Sequence, residues 1–232
     1  MSMKNRIILI TGATGELGRV VSAAFTQHHA RVIAVYRNAA KLERLRSLCP
    51  NPENLSGIAA SLTEEDSVNT LYNRIAEQFG RLDALLHLAG GFWMGGDISE
   101  TPLQKWQEMI DQNLTSTFLC TRGAFGLMKK TGGGVMVTVS AASALELPAG
   151  MASYAVSKQA VLALTRVLAK EGRSHGIRAN ALLPGIIDTE ANRRAMPDAK
   201  RDAWTPPEKI ARVLLTLVSE QMSIVSGSAI RV

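Results

Sequence analysis

Tyr154 and Lys158 lie four residues apart in the segment Ala152-Ser153-Tyr154-Ala155-Val156-Ser157-Lys158. On a helix, side chains at positions i and i+4 share one face, which would bring the ammonium group of Lys158 close to the phenol of Tyr154. A neighbouring cation stabilises a phenolate and is expected to lower the tyrosine pKa from its usual value of about 10. The pair therefore indicates proton transfer to or from a bound molecule, and the alternative is a solvated helix face without function.

A glycine-rich segment, Thr11-Gly12-Ala13-Thr14-Gly15-Glu16-Leu17-Gly18, follows the first apolar run of the chain and precedes an amphipathic stretch. Glycines let backbone amides approach a pyrophosphate closely, and the start of a helix offers unpaired N–H groups and a positive dipole end. In this strand, turn and helix context the segment predicts a dinucleotide site, with a purely structural turn as the alternative.

Apolar runs of strand length alternate with amphipathic stretches along the whole chain. The runs cover residues 6–11, 31–36, 54–60, 84–88, 135–140, 178–183 and, weakly, 229–232. The stretches with helical period cover residues 17–28, 39–48, 64–79, 103–129, 154–174 and 207–220. This alternation predicts an α/β fold with a doubly wound parallel sheet of about seven strands and helices on both faces. Residues 185–206 follow neither period and are a candidate lid.

Length and composition fit a single domain over residues 1–232, since 46% of the residues are hydrophobic. No apolar run approaches the ~20 residues of a membrane span. The start, from Met1 to Arg6, leads into a strand and lacks the pattern of a signal peptide, so we expect a cytoplasmic protein without membrane contact. Cys49 and Cys120 are far apart and lack zinc-site spacing, so neither a disulfide nor a metal site is expected.

The formal net charge of +6 raises the question of nucleic-acid binding. Lysines and arginines are scattered among acids, as in Lys41-Leu42-Glu43-Arg44-Leu45-Arg46, which is typical of solvated helix faces. We therefore expect no nucleic-acid partner, and the excess positive charge would favour an anionic cofactor.

Several segments, in order, resemble the short-chain dehydrogenase/reductase family over essentially the whole chain. Besides the glycine-rich turn and the Tyr-x-x-x-Lys pattern, they are Leu88-Ala89-Gly90-Gly91, Gln112-Asn113-Leu114 and Asn180-Ala181-Leu182-Leu183-Pro184-Gly185. The turn has two residues between its first two glycines where the family usually has three, and Glu16 stands at the place of the middle glycine. The resemblance implies a Rossmann-like NAD(P)-dependent oxidoreductase with a small-molecule substrate. It also implies a homodimer or homotetramer that associates through the helices at residues 103–129 and 154–174.

The resemblance assigns catalytic roles to Asn113, Ser140, Tyr154 and Lys158. Tyr154 would protonate the substrate, Lys158 would hold the cofactor ribose and lower the pKa of Tyr154, and Asn113 would support a proton relay. The family's substrate-polarising serine usually lies 13 residues before the tyrosine, where this chain has Ala141. Ser140 is the candidate replacement and Ser143 the weaker one, while a serine at a strand end also commonly bonds only backbone.

The end of the second strand, Val35-Tyr36-Arg37-Asn38, carries Arg37 and no acid, which favours a 2′-phosphate. We therefore expect NADP, with NAD possible and a purely surface role for Arg37 as the alternative. Ser61 stands where the family often has an aspartate that touches the adenine. The residues that the resemblance assigns to cofactor binding are Gly12, Thr14, Gly15, Leu17, Gly18, Arg37, Ser61, Leu62, Ala89, Gly90, Gly91, Tyr154, Lys158, Pro184, Gly185, Ile187 and Thr189.

Phe92, Trp93, Met94 and Met151 are predicted to line the substrate pocket, because they flank loops at the carboxyl ends of strands. The expected substrate is a small carbonyl or conjugated C=N compound. Residues 89–96 and 188–206 also resemble dihydropteridine reductases, which share the alanine at the serine position but favour NADH and commonly lack the asparagine. A dinucleotide-binding sensor without turnover is a further alternative, disfavoured by Tyr154, Lys158 and Asn113. His87 lies in an apolar strand and is expected to pack in the core.

Overall fold

The computed structural model describes residues 3–232, so Met1 and Ser2 of the predicted start lie outside it. Seven parallel strands form one sheet in the order β3-β2-β1-β4-β5-β6-β7. Their bounds are β1 Ile7–Thr11, β2 Arg31–Tyr36, β3 Leu55–Ala59, β4 Ala84–His87, β5 Gly134–Val139, β6 Ile177–Leu183 and β7 Ala229–Arg231. The doubly wound sheet of about seven strands is confirmed. The strand order reverses between β1 and β4, and a ligand crevice is expected outside the carboxyl ends of these two strands.

Helices cover both faces of the sheet, as the continuous apolar strands require. They are α1 Glu16–Gln27, α2 Ala39–Leu48, α3 Glu65–Phe79, α4 Leu103–Met109, α5 Ser116–Thr131, α6 Ser143–Glu146, α7 Ala152–Gly172, α8 Glu190–Ala195 and α9 Pro207–Val218. Side chains of α1, α2 and α9 form the core on one face, and those of α3, α5 and α7 form the core on the other. Within residues 3–232, no helix combines the length and apolar character needed to cross a membrane.

The helix expected over residues 103–129 is divided by a short π-helical segment, Ile110–Thr115, between α4 and α5. An i to i+5 segment inserts an extra residue into the helical turn and changes the direction of the side chains beside it. Asn113 lies in this segment and is fully buried. The spacing of apolar residues in the sequence indicates a helix here, but it does not indicate the π-helical segment within it.

The segment predicted as a lid is ordered and carries the short helix α8. Ile187 pairs with Thr205 in an isolated parallel bridge, and the amide of Asp188 donates to the carbonyl of Thr205 at 2.9 Å. Trp204 is buried at the base of the segment. The two ends of the lid are therefore held together, and α8 lies between them.

Candidate active site

The glycine-rich turn places bare backbone at the carboxyl end of β1. Gly12 has φ +66°, and a Cβ there would lie 2.9 Å from the amide nitrogen of Ala89. A Cβ on Gly18 would lie 2.1 Å from the carbonyl oxygen of Gly12. The Gly15 amide donates to the Gly12 carbonyl at 3.0 Å, and no side chain caps the start of α1. The first amides of α1 are therefore left for an anion, as a helix start beside a tight turn allows.

The neighbouring strand β4 is fastened to this turn through Thr11 and His87. Thr11 Oγ1 lies 3.0 Å from His87 Nδ1 and accepts a hydrogen bond from the Ala89 amide at 3.3 Å. The other ring nitrogen of His87 lies 3.4 Å from Ser116 Oγ. Burial lowers the pKa of His87 to about 3, with a smaller effect of Lys158, so the ring is neutral. His87 is a packed core side chain, as expected, and it joins β1, β4 and α5.

Asn113 fixes the Leu88-Ala89-Gly90-Gly91 segment that follows β4. Its Oδ1 accepts from the Gly91 amide at 2.9 Å, and its Nδ2 donates to the Gly91 carbonyl at 3.2 Å and to Ser157 Oγ at 3.0 Å. A Cβ on Gly90 would lie 2.7 Å from Asn113 Oδ1 and 3.0 Å from Lys158 Nζ. Gly90 is therefore the point where Asn113 and Lys158 converge, and any larger residue there would displace one of them.

Lys158 and Ser140 connect α7 to the end of β5. Lys158 Nζ donates to the Val139 carbonyl at 2.9 Å, and burial lowers the pKa of Lys158 to about 8. The hydroxyl of Ser140 donates to the Lys158 carbonyl at 2.8 Å. Ser140 is thus committed to a backbone contact, and a catalytic role would require it to leave that bond. Ala141 is buried, and the hydroxyl of Ser143 is buried without a hydrogen-bond partner among residues 3–232.

Tyr154 lies one turn before Lys158 on α7, with Lys158 Nζ 5.9 Å from the centre of its ring. Burial raises the pKa of Tyr154 to about 12. This corrects the expectation of a lowered pKa, because the loss of solvent around the phenol disfavours its charged form. The phenol is consequently protonated at neutral pH. Within residues 3–232 its hydroxyl has no hydrogen-bond partner, which leaves the proton available to a ligand.

The residues predicted to contact the adenosine end of a cofactor follow β2 and β3. Arg37 comes directly after β2 and is exposed, and no acidic side chain within residues 3–232 pairs with it. Asn38 accepts from the Lys41 amide at 3.2 Å and caps α2, so Arg37 is not needed for that purpose. The amide of Ser61 donates to Ser67 Oγ at 2.9 Å, and Leu62 packs against the core.

The predicted residues after β6 link the sheet to the lid. Pro184 accepts a hydrogen bond from the Ala142 amide at 2.9 Å, and Gly185 donates from its amide to the carbonyl of the terminal Val232 at 3.2 Å. Ile187 forms the bridge to Thr205 described above. Thr189 caps α8 by accepting from the Asn192 amide at 3.3 Å. These residues therefore set the position of the lid beside the glycine-rich turn.

The candidate substrate residues lie at the same edge of the sheet. The rings of Phe92 and Tyr154 meet edge to face, with centroids 4.9 Å apart. Phe92 is 60% exposed and Met94 is 52% exposed, whereas Trp93 and Met151 are half-buried. The amide of Gly95 donates to the Gly150 carbonyl at 2.9 Å and joins the loops that carry these residues. Phe92 is thus the candidate that contacts Tyr154 directly.

Exposed apolar side chains surround this edge. Large hydrophobic residues with substantial exposure occur in all three loops that follow β4, β5 and β6. They are Phe92, Met94 and Ile98 after β4, Leu145 and Leu147 after β5, and Ile186 after β6. Such a cluster at the mouth of a crevice is typical of a site for an apolar ligand.

Two contacts at the site were not identified from the sequence. Ser157 accepts from Asn113 and donates to the Tyr154 carbonyl at 2.7 Å, and its position three residues after Tyr154 on the same helix face was the available signal. Glu16 accepts from the Ala191 amide at 3.2 and 3.3 Å, which ties the glycine-rich turn to α8. No sequence signal predicts that second contact, because the residues are 175 positions apart.

Known proteins resemble the chain over its whole length. Residues 6–200 match the family profile described as short chain dehydrogenase. The 3-oxoacyl-(acyl-carrier-protein) reductase FabG of Thermotoga maritima is 29% identical over 242 residues, covering 99% of this chain and 97% of that protein. The 3alpha-hydroxysteroid dehydrogenase of Mediterraneibacter gnavus is 33% identical over 247 residues, covering 100% and 97%. The structure of ElxO with NADP bound superposes with a TM-score of 0.93 at 28% identity, covering 98% and 96%.

Proposed function

The chain belongs to the short-chain dehydrogenase/reductase family of NAD(P)-dependent oxidoreductases, and from this premise we propose that it is an NADP(H)-dependent reductase of an apolar substrate. The substrate carries a small carbonyl or a conjugated C=N group. The observation that carries the proposal is that Asn113 and Lys158 meet beside Gly90 in the loop after β4, with Lys158 Nζ 5.9 Å from the centre of the Tyr154 ring.

The residues present fit a dinucleotide. Gly12 and Gly18 have no space for a side chain, so their backbone is the surface that a pyrophosphate would meet, beside the uncapped start of α1. Arg37 is exposed at the end of β2 and would pair with a 2′-phosphate. That ElxO was solved with NADP bound supports the choice of cofactor.

The side chains then divide the proton chemistry. When bound, the dinucleotide supplies hydride to the substrate. Tyr154 holds its proton at neutral pH, since its pKa is about 12, and it donates that proton to the substrate atom that gains negative charge. Lys158 is cationic below its pKa of about 8 and stabilises the phenolate that remains. Asn113 and Ser157 hold the loop after β4 at a fixed distance from α7.

The preference for a conjugated substrate group rests on positions 140 and 141, neither of which offers a free hydroxyl. Ala141 cannot donate a hydrogen bond, and Ser140 already donates to the Lys158 carbonyl. A conjugated acceptor spreads the incoming negative charge over several atoms and depends less on a second donor at one oxygen. This favours a conjugated C=N or quinone-like group, and it keeps dihydropteridine-reductase-like activity as the second candidate.

The proposal is tested by NADPH oxidation against quinonoid dihydropterin, quinones, aldehydes and β-ketoacyl thioesters. We expect turnover of the conjugated acceptors, and we expect Tyr154→Phe to lose at least about 100-fold in kcat. Binding of NADPH to that variant should be nearly unchanged. Tyr72→Phe is the matched control, because it removes a buried hydroxyl that only bonds the Cys120 carbonyl. Tight NADPH binding without any turnover would instead identify a dinucleotide sensor.

We further propose a homodimer or homotetramer that associates through α5 and α7. Phe118 on α5 and Val156 and Val167 on α7 are 45%, 44% and 47% exposed. Exposed apolar residues on two adjacent helices are typical of an interface between copies of a chain. The mass in solution tests this, and Val156→Lys together with Val167→Lys should produce monomers.

A further inference from the structure

A large cleft opens at the edge of the sheet opposite the candidate active site. It has a volume of about 1170 Å³, and its lining includes Asp83 just before β4, Gly134 at the start of β5 and Ile177 at the start of β6. These are the amino ends of parallel strands, whereas Tyr154 faces the carboxyl ends. The proposed reaction therefore does not use this cleft. We call it the basic cleft, because Arg6, Arg166, Lys170, Arg173 and Arg178 line it.

The basic cleft holds too few carboxylates to neutralise its five cations. Among residues 3–232, the acidic residues that line the cleft are Asp83 and Glu220. Glu220 is paired with Arg6 at 2.6 Å, and Asp83 accepts from the Ile7 amide at 2.7 Å and from Arg81 at 3.2 Å. Both acids are thus occupied, and Arg166, Lys170 and Arg173 have no acidic partner within residues 3–232.

Three of the cations form a row at the end of α7. Arg166, Lys170 and Arg173 are spaced by four and three residues, so they share one helix face, and all three are exposed. Their side chains make no ion pair or hydrogen bond with any residue in 3–232. Seven residues of helix cover about 10 Å along the axis. The negative end of the helix dipole favours cations in the last turn, but Arg166 lies more than one turn earlier.

The remaining walls are rigid. Arg178 is half-buried and donates to the carbonyls of Val225 at 3.1 Å and Leu217 at 3.0 Å, which fixes its guanidinium. Gly133 has φ +118°, and a Cβ there would lie 2.5 Å from the Gly176 carbonyl oxygen. The glycines that line the cleft add no side chains to it, which leaves space for a small molecule.

We propose that the basic cleft binds a small molecule with two or more linked phosphate groups, such as a diphosphate or triphosphate. Arginine guanidinium groups bind phosphate oxygens in a bidentate manner, and a lysine supplies a compact point charge. A row of three cations about 10 Å long spans several linked phosphates but exceeds the size of a single one. The concave shape suits a small polyanion and distinguishes the site from a flat basic surface.

The test uses isothermal titration of the full chain with sodium pyrophosphate and with tripolyphosphate at low ionic strength. The variant Arg166→Gln/Lys170→Gln/Arg173→Gln removes the row while leaving exposed polar side chains on α7. The matched control, Arg44→Gln/Arg74→Gln/Arg212→Gln, removes three exposed cations from α2, α3 and α9. Circular dichroism and thermal unfolding check that both variants fold. The variant Arg37→Gln reports on binding at the cofactor side of the molecule.

We expect saturable binding of one tripolyphosphate per chain and a dissociation constant that rises at least about tenfold in the row variant. The control variant and Arg37→Gln should bind as the unmodified chain does. Absence of saturable binding, or equal weakening by the control, would overturn the proposal. Unchanged binding in the row variant, with or without a loss in Arg37→Gln, would also overturn it, because the polyphosphate would then bind elsewhere, such as at the cofactor side.

Discussion

Asn113 and Ser157 join the π-helical segment after α4 to the helix that carries Tyr154. Asn113 Nδ2 donates to Ser157 Oγ at 3.0 Å, and Ser157 Oγ donates to the Tyr154 carbonyl at 2.7 Å. Both side chains are completely buried, so water does not compete for these bonds. Because Asn113 also holds both backbone groups of Gly91, the pair sets the distance between the loop after β4 and the tyrosine.

Replacing Ser157 by Ala is expected to reduce catalysis only by shifting the position of Tyr154 relative to Asn113. One donor of Asn113 would lose its partner, and the start of α7 would lose a brace, so kcat should fall about tenfold, or about 1.4 kcal/mol. The KM for NADPH should change little, because Ser157 lies on the Asn113 side of Tyr154. Steady-state kinetics with the best acceptor measure both constants.

Ser47→Ala is the control for that variant, since Ser47 also donates to a backbone carbonyl, that of Arg44, but on an exposed turn of α2. Asn113→Ala combined with Ser157→Ala should cost little more than Asn113→Ala alone. Full additivity of the two losses would show that the residues act independently.

Lys158 should make the protein more stable as the pH rises above 8. Burial lowers its pKa in the folded chain to about 8 from the 10.5 of a solvated lysine, so the unfolded chain binds more protons between these two values. The contribution of Lys158 to the free energy of unfolding therefore increases across that window, by at most about 3 kcal/mol. Burial raises the pKa of Cys120 from 9.0 to about 12, which opposes this increase above pH 9. The pKa of Tyr154, raised from 10.0 to about 12, opposes it further above pH 10.

Lys158→Met should remove the increase in the free energy of unfolding between pH 8 and 9, raise the free energy of unfolding at pH 7 and abolish turnover. Urea unfolding at a series of pH values measures the first two effects. The control is Lys170→Met, because Lys170 is exposed on the same helix. An unchanged pH dependence in Lys158→Met would show that its ammonium is better solvated than its burial indicates.

Arg37 should determine the choice between the two nicotinamide cofactors. Arg37→Ala removes a charge-assisted pair with a 2′-phosphate, which contributes about 1.5–3 kcal/mol. The ratio of kcat/KM for NADPH to that for NADH should therefore fall about 10- to 100-fold. Arg44→Ala on the exposed face of α2 is the matched control, and an unchanged ratio in Arg37→Ala would leave Arg37 without a role in cofactor choice.

The sequence predicts the sheet closely, because most strands are short and largely apolar runs and the helices between them keep their period. It predicts the positions of Asn113 and Lys158 through local motifs. It does not predict the π-helical widening at Ile110–Thr115, since the same side chains would suit a regular helix. The sequence also does not predict the raised pKa of Tyr154, because the burial of its phenol depends on packing by residues distant in sequence, such as Phe92.

Glu16 is expected to hold the lid helix beside the glycine-rich turn. Its carboxylate accepts from the Ala191 amide at 3.2 and 3.3 Å, in the first turn of α8. Glu16→Ala would leave that amide to water and loosen α8 by about 1 kcal/mol, since the contact is partly exposed. Trypsin cleavage after Arg193 and Arg194 should then accelerate about fivefold. The control is Glu190→Ala, which removes an exposed ion pair with Arg194 at 2.6 Å, a contact expected to contribute little. Equal cleavage rates in Glu16→Ala and the unmodified chain would show that the lid stays in place without Glu16.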